Sequence, residues 1–101
     1  MNKYSLIISD DVYEMTTDYV RFISNVSIRT AKAFRKELAD VFKEIRNNPY
    51  QFPIDEDPYL AGQYRKAVFA TWFKALFMVD DTSIYLDAIV DCRMYYSDYI
   101  P

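Results

Sequence analysis

Residues 63–93 constrain the fold of this chain most, because they read as three β-strands joined by two short connections. The pattern of β-branched and aromatic residues predicts strands at residues 64–70, 73–80 and 84–93. A link of two or three residues joins the first pair, and the polar turn at residues 80–83 joins the second. Links this short require antiparallel neighbours, so the three strands are expected to form a meander.

The middle strand of this meander is apolar on both faces, which predicts a position inside the sheet with each side covered. Phe73 and Phe77 mark one face, and Leu76 marks the other. Lys74 is the exception. A lone ammonium among apolar neighbours either extends its charged end towards solvent or serves a functional site.

The first half of the chain predicts one strand and one helix. Residues 3–9 favour an opening strand that pairs with the sheet. Asp11 and Glu14 have capping-box spacing, and a helix is predicted over residues 12–24. Its apolar residues share one face at helical spacing. They are Val12, Met15, Tyr19, Phe22, Ile23 and Val26.

A second helix is predicted over residues 28–46, with Ser27 as its N-cap. The short link before it implies an antiparallel helical hairpin, and Pro49 cannot continue the helix. Its apolar stripe is the clearest periodic signal in the chain. The stripe consists of Ala31, Phe34, Leu38, Val41, Phe42 and Ile45.

The predicted element order is β-α-α-β-β-β, in one domain spanning residues 1–101. A helical hairpin packed on one face of a small antiparallel sheet is an α+β two-layer sandwich. The other sheet face is expected to remain free.

Several chemistries are incompatible with the composition. A chain of 101 residues without histidine has no Ser-His-Asp triad or histidine-bearing metal site, and one glycine does not build a phosphate loop. The single Cys92 excludes an intrachain disulfide and favours a reducing cytoplasm. No apolar stretch is long enough for a membrane span. The net charge of −3 lowers the expectation of nucleic-acid binding.

Cations and phenols remain as candidate functional groups. In the meander, the end of the third strand lies near the start of the second, so Lys74 and Arg93 could converge, with Arg65 further away. Three tyrosines follow in the tail, at Tyr95, Tyr96 and Tyr99. Cations stabilise developing negative charge, and a phenol exchanges a proton or stacks on a base. The alternative is that these are ordinary charges at strand ends.

The run YRKAVFATWFKALFMVDDTSIYLDAIVDCR resembles the C-terminal half of the RelE/ParE superfamily, the toxins of bacterial type II toxin–antitoxin systems. The shared pattern is a basic residue opening a strand, an aromatic-led strand, an acidic turn, and an apolar strand ending in arginine. The helical hairpin and its Asn-Pro ending also fit. The resemblance covers nearly the whole chain and implies a RelE-like fold.

The resemblance implies two alternative activities. RelE-like members cleave mRNA at the ribosomal A site without metal, whereas ParE-like members inhibit DNA gyrase. In the first case Arg65 and Lys74 match basic positions, Arg93 matches the strand-end arginine, and Tyr99 approximates the C-terminal tyrosine. Tyr95 or Tyr96 would be substitutes. The chain departs from the pattern in its acidic charge, its lysine at position 74 and its lack of histidine.

We therefore expect a cytoplasmic, growth-inhibiting toxin whose main partner is a cognate antitoxin. The favoured activity is that of a ribosome-dependent mRNA interferase, an endoribonuclease that needs no cofactor and acts on the ribosome and mRNA. The alternatives are a ParE-like inhibitor of DNA gyrase and an inactive protein-interaction member of the fold. No membrane partner is expected.

Overall fold

The computed structural model describes residues 3–93. The elements in chain order are β1 (Ser5–Ile8), α1 (Asp10–Val26), α2 (Ile28–Asn47), two 3₁₀ turns (Pro49–Gln51 and Pro58–Leu60), β2 (Arg65–Phe69), β3 (Phe73–Asp80) and β4 (Ser83–Asp91). The predicted order β-α-α-β-β-β is confirmed. None of the helices in this part of the chain combines the length and apolarity that a membrane crossing requires.

The sheet has the strand order β1-β4-β3-β2. β2, β3 and β4 form the predicted antiparallel meander. β1, however, runs parallel to β4, with Ser5 opposite Ser83 and Ile8 opposite Leu86, so the sheet is mixed and the prediction of a wholly antiparallel sheet is wrong. Short links fix the direction of the other strands, but the whole helical hairpin follows β1 and leaves its direction free.

A serine side chain caps the N-terminus of each helix. Ser27 accepts a hydrogen bond from the Thr30 N–H at 3.1 Å, as predicted for the second helix. Ser9, not Asp11, caps α1, because its hydroxyl accepts from the Val12 N–H at 3.4 Å. Asp11 instead lies in the first turn, where a carboxylate favours the helix dipole.

The hydrophobic core lies between the helical hairpin and one face of the sheet. α2 buries five of its six predicted stripe residues: Ala31, Phe34, Leu38, Val41 and Ile45. Phe34 packs against Phe73 with ring centroids 4.7 Å apart, and Tyr19 of α1 lies 5.1 Å from the same ring. These contacts confirm the two-layer α+β arrangement.

The apolar stripe of α1 is only partly buried. Val12 is buried, but Phe22 is 69% exposed and Val26 is 81% exposed, so the predicted apolar face of α1 lies only partly in the core. Phe22 lies about 80° from Val12 around the axis, given about 3.6 residues per turn. Val26 is the last residue of the helix. The hairpin therefore presents apolar side chains at its tip.

Candidate functional site

Two of the three predicted cations, Lys74 and Arg93, lie around the end of the sheet where β3 begins and β4 ends. Phe73 pairs with Asp91, and Lys74 pairs with Val68 on one side and Val90 on the other. Lys74 and Arg93 thus lie at the same end of the sheet, as the meander predicted. We call this region the Lys74 end.

Lys74 forms an ion pair with a residue that the sequence analysis did not select. Its Nζ lies 2.6 Å from Oδ2 of Asp55, and the two side chains are only 14% and 4% exposed. The backbone N–H of Asp55 donates to the Tyr64 carbonyl at 2.8 Å. The other carboxylate oxygen accepts from the Asp57 N–H at 2.9 Å. The lysine is therefore held inside the protein by a fixed carboxylate.

The electrostatics of Asp55 reflect this pairing. Burial by itself would raise the pKa of Asp55. The hydrogen bonds from Lys74 and the Asp57 N–H, with the positive charge of Lys74, more than offset burial and hold the pKa below its ordinary value. Asp55 is thus a carboxylate at neutral pH, and the pair has no net charge.

Arg93 also has a carboxylate partner. The strand ends at Asp91 rather than at Arg93, because Asp91 accepts the backbone N–H of Arg93 at 3.0 Å and turns the chain. Both Nε and Nη2 of Arg93 lie 3.3 Å from oxygens of Asp91. The guanidinium also lies 5.2 Å from the ring centroid of Trp72. The arginine side chain is 55% exposed, whereas Asp91 is 7% exposed.

Asp91 is tied to the core through α1. Its N–H donates to the Tyr19 hydroxyl at 3.3 Å, and that hydroxyl donates to the Ile89 carbonyl at 3.2 Å. Burial is the main reason that the pKa of Tyr19 is raised. Tyr19 is therefore a neutral structural phenol that fixes the end of β4.

Arg65 does not belong to the Lys74 end. It pairs with Phe77, whereas Lys74 pairs with Val68, so the two positions are about 10 Å apart along the strand at about 3.3 Å per residue. The side chains of Arg65 and Lys74 also lie on opposite faces of the sheet. Arg65 donates to the Phe52 carbonyl at 2.6 Å and lies 5.0 Å from the ring centroid of Tyr50. It holds the crossover segment in place.

The phenols predicted for the site, Tyr99 and its substitutes Tyr95 and Tyr96, lie outside the described residues. Cys92, by contrast, lies next to Arg93 and donates its backbone N–H to the Trp72 carbonyl at 2.8 Å. Burial is the main reason that the pKa of its thiol is raised. The protonated thiol is a poor nucleophile. Within residues 3–93 no group of three or more side chains is arranged to hold a metal ion.

The sequence signal for Asp55 is weak. It lies in the proline-containing crossover among Asp55, Glu56 and Asp57, and residue type does not distinguish which acid turns inward. Only the fold brings this acid to Lys74. The Lys74 end therefore consists of two cations that are each matched by a carboxylate, beside an exposed indole.

Comparisons with protein-family models and with curated proteins find no match for this chain. The RelE/ParE resemblance accordingly stays a prediction.

Proposed function

We propose that this protein is the toxin of a bacterial type II toxin–antitoxin system of the RelE/ParE type, and that it acts by binding a protein target. DNA gyrase is the first target to test. The element order β-α-α-β-β-β and the helical hairpin on one sheet face agree with this resemblance. The parallel pairing of β1 is a departure from the antiparallel sheet that we expected.

The pairing of Lys74 with buried Asp55 carries the choice of mechanism. If Lys74 moved away from Asp55 to hold a phosphate, it would leave that carboxylate as an uncompensated buried charge, and if it stayed, Asp55 would already neutralise it. Breaking a buried ion pair costs about 3–5 kcal/mol. One electrostatic contact to a transition state contributes about 2.7–4 kcal/mol. The cost of breaking the ion pair is as large as the gain from one contact to the transition state. Lys74 is therefore a poor catalyst of phosphodiester cleavage and a good structural residue.

The positions of the cations support the same choice. Arg65 lies away from the Lys74 end and is bonded to the crossover. The net charge of −3 also weakens attraction to ribosomal RNA. A toxin that binds a protein surface needs neither converging cations nor a positive charge.

One observation favours the mRNA interferase as the second candidate. Arg93 is more than half exposed and stacks beside Trp72, which is itself 50% exposed. An arginine contacts phosphate, and an exposed aromatic ring stacks on a base. Tyr99 would then supply the phenol that the family resemblance implies.

Parallel assays separate the two mechanisms. The purified protein is added to a translation reaction, whose message is mapped by primer extension, and to a gyrase supercoiling reaction. We expect an intact message, blocked supercoiling and no effect of Tyr99→Phe. Arg93→Gln is compared with Arg29→Gln, which removes the same charge from an exposed site on α2. Thermal unfolding confirms that both variants fold.

Two results would contradict this mechanism. Message cleavage at codon boundaries that Arg93→Gln and Tyr99→Phe abolish, but Arg29→Gln does not, would establish the mRNA interferase instead. Intact message together with normal supercoiling would exclude gyrase as the target.

A further inference from the structure

The outer edge of the sheet at β2 is covered along only part of its length. Ile54 bridges to Arg65, and the Lys66 N–H donates to the Pro53 carbonyl at 2.9 Å. Beyond Lys66 no segment among residues 3–93 pairs with this edge. Val68, two residues further along β2, is 61% exposed. The crossover therefore leaves the second half of the edge open.

The backbone groups of Val68 point towards this open side. In an antiparallel pair, alternate residues direct their N–H and C=O groups to the same neighbour. Since Lys66 donates outward to Pro53, Val68 also directs its N–H and C=O outward. The strand ends at Phe69, and Ala70 and Thr71 turn the chain with φ of 47° and 65°. The open edge is short and has a defined end.

An acidic row on α2 faces the same edge. Glu37, Asp40 and Glu44 line a groove together with Val41 and residues 68–71. Its volume of about 250 Å³ is below the roughly 300–1,000 Å³ of small-molecule pockets. Within the described residues, Glu37 and Glu44 have no cationic partner. The groove joins the unpaired backbone groups of Val68 to two carboxylates, Glu37 and Glu44, that have no salt bridge within the described residues.

We propose that this edge binds an extended segment of a partner protein, with basic residues at alternate positions, as an additional strand on β2. The segment would bond to the outward backbone groups of Val68. The side chains on its helix-facing side would meet Glu37, Asp40 and Glu44. Main-chain pairing provides affinity in this mode of recognition, and alternate side chains provide specificity. The proposal goes beyond the toxin function and does not depend on it.

The spacing of two of the three acids, Asp40 and Glu44, fits such a segment. Alternate residues of a strand are about 7 Å apart. Asp40 and Glu44 are about 6 Å apart along the helix at about 1.5 Å per residue. Lys36 pairs with Asp40 at 3.4 Å, but the two side chains are 80% and 51% exposed. Such an exposed pair is weak, so a basic ligand can replace it.

The probe for this site is a labelled hexapeptide of alternating valine and lysine, titrated to about 1 mM, a concentration suited to weak binding. Binding is followed by fluorescence anisotropy and by the NMR shift of the Val68 amide. Alternating valine and glutamate serves as the control peptide. We expect the lysine peptide alone to bind, to shift Val68, and to weaken as salt screens the acidic row.

Two sets of variants test the two parts of the site. Val68→Pro removes an outward N–H without removing a hydrogen bond between β2 and β3, which an edge strand tolerates, and should weaken binding about 2- to 10-fold. Glu37→Gln/Glu44→Gln should weaken it roughly 2- to 30-fold. The control Glu14→Gln/Glu56→Gln makes the same charge change at other exposed sites and should have no effect.

The proposal is overturned if the lysine peptide does not bind, or if the glutamate peptide binds equally well. It is also overturned if both Val68→Pro and the acidic variant bind as the unchanged protein does. Thermal unfolding of each variant, with NMR of the β2–β3 amides, shows that the fold is retained. None of these readouts involves toxicity, so this proposal and the toxin proposal fail independently.

Discussion

At the residue scale, Lys74 shows how a charge inside an apolar strand is accommodated. The sequence leaves two possibilities for Lys74: its ammonium group is exposed to solvent, or it belongs to a functional site. The side chain is only 14% exposed and is compensated by Asp55 at 2.6 Å. Losing one partner would leave the other buried and charged, which costs more than the pair itself contributes. The pair therefore has a structural role. Any functional test of a Lys74 variant must distinguish loss of activity from loss of stability.

Lys74→Ala should lower the free energy of unfolding by about 3–5 kcal/mol, because it leaves Asp55 buried without its counter-charge. Lys74→Gln/Asp55→Asn should be much milder, since amides keep hydrogen bonds and remove both charges. Urea denaturation of both variants measures the difference. If Lys74→Ala costs less than about 1 kcal/mol, as an exposed pair would, the structural role is wrong.

The pH dependence of stability provides a control for the same pair. The pKa of Asp55 is lower in the folded protein than its ordinary value, so its carboxylate stabilises the fold above the unfolded pKa of about 4. That contribution is lost as the pH falls through the folded pKa. The stability difference between the unchanged protein and Asp55→Asn should therefore shrink below about pH 4. A difference that stays constant from pH 7 to pH 3 would contradict the lowered pKa.

At the element scale, α2 provides most of the apolar surface that covers the sheet. Leu38 lies in the middle of its buried stripe, whereas Lys36 is exposed on the opposite side. Leu38→Ala should lower the free energy of unfolding by about 2–5 kcal/mol. Lys36→Ala removes only an exposed pair worth about 0.3–0.5 kcal/mol. Equal shifts of the two unfolding midpoints in urea would contradict this packing of the helix.

The same elements show which parts of the fold were predictable from sequence. β3 has the predicted bounds, Phe73–Asp80, because local alternation and short links determine them. The direction of β1 is mispredicted, and the exposure of Phe22 does not follow from its place on the apolar face of α1. They depend on how the helical hairpin sits on the sheet, which no local pattern encodes.

The candidate site divides in the same way. The shared location of Lys74 and Arg93 follows from the meander and was predictable. Their carboxylate partners were not. Asp55 comes from the crossover segment, 19 residues before Lys74, and Asp91 lies within the strand predicted over residues 84–93. Proximity in the fold, not spacing in sequence, creates both pairs.

At the scale of the whole molecule, the apolar surface is unevenly covered. The helical hairpin covers one face of the sheet, and on the other face Ile7 and Val68 are 45% and 61% exposed. Trp72, 50% exposed, lies at the end of that face beside Arg93. A stable protein interface buries about 800 Å² per partner. That is about a ninth of the 7019 Å² accessible surface of the chain.

If the protein is a toxin, its antitoxin should cover this sheet face, because exposed aromatic and aliphatic side chains provide the anchors of most interfaces. The protein is expressed alone and together with the product of a neighbouring small gene, and growth and copurification are measured. We expect arrested growth alone, relief on co-expression, and a complex that Trp72→Ala weakens at least 10-fold. Tyr13→Ala removes an aromatic side chain that is 59% exposed on α1 and should leave the complex intact. Equal binding by both variants would place the antitoxin elsewhere, and a chain that neither arrests growth nor binds the neighbouring product would contradict the toxin function itself.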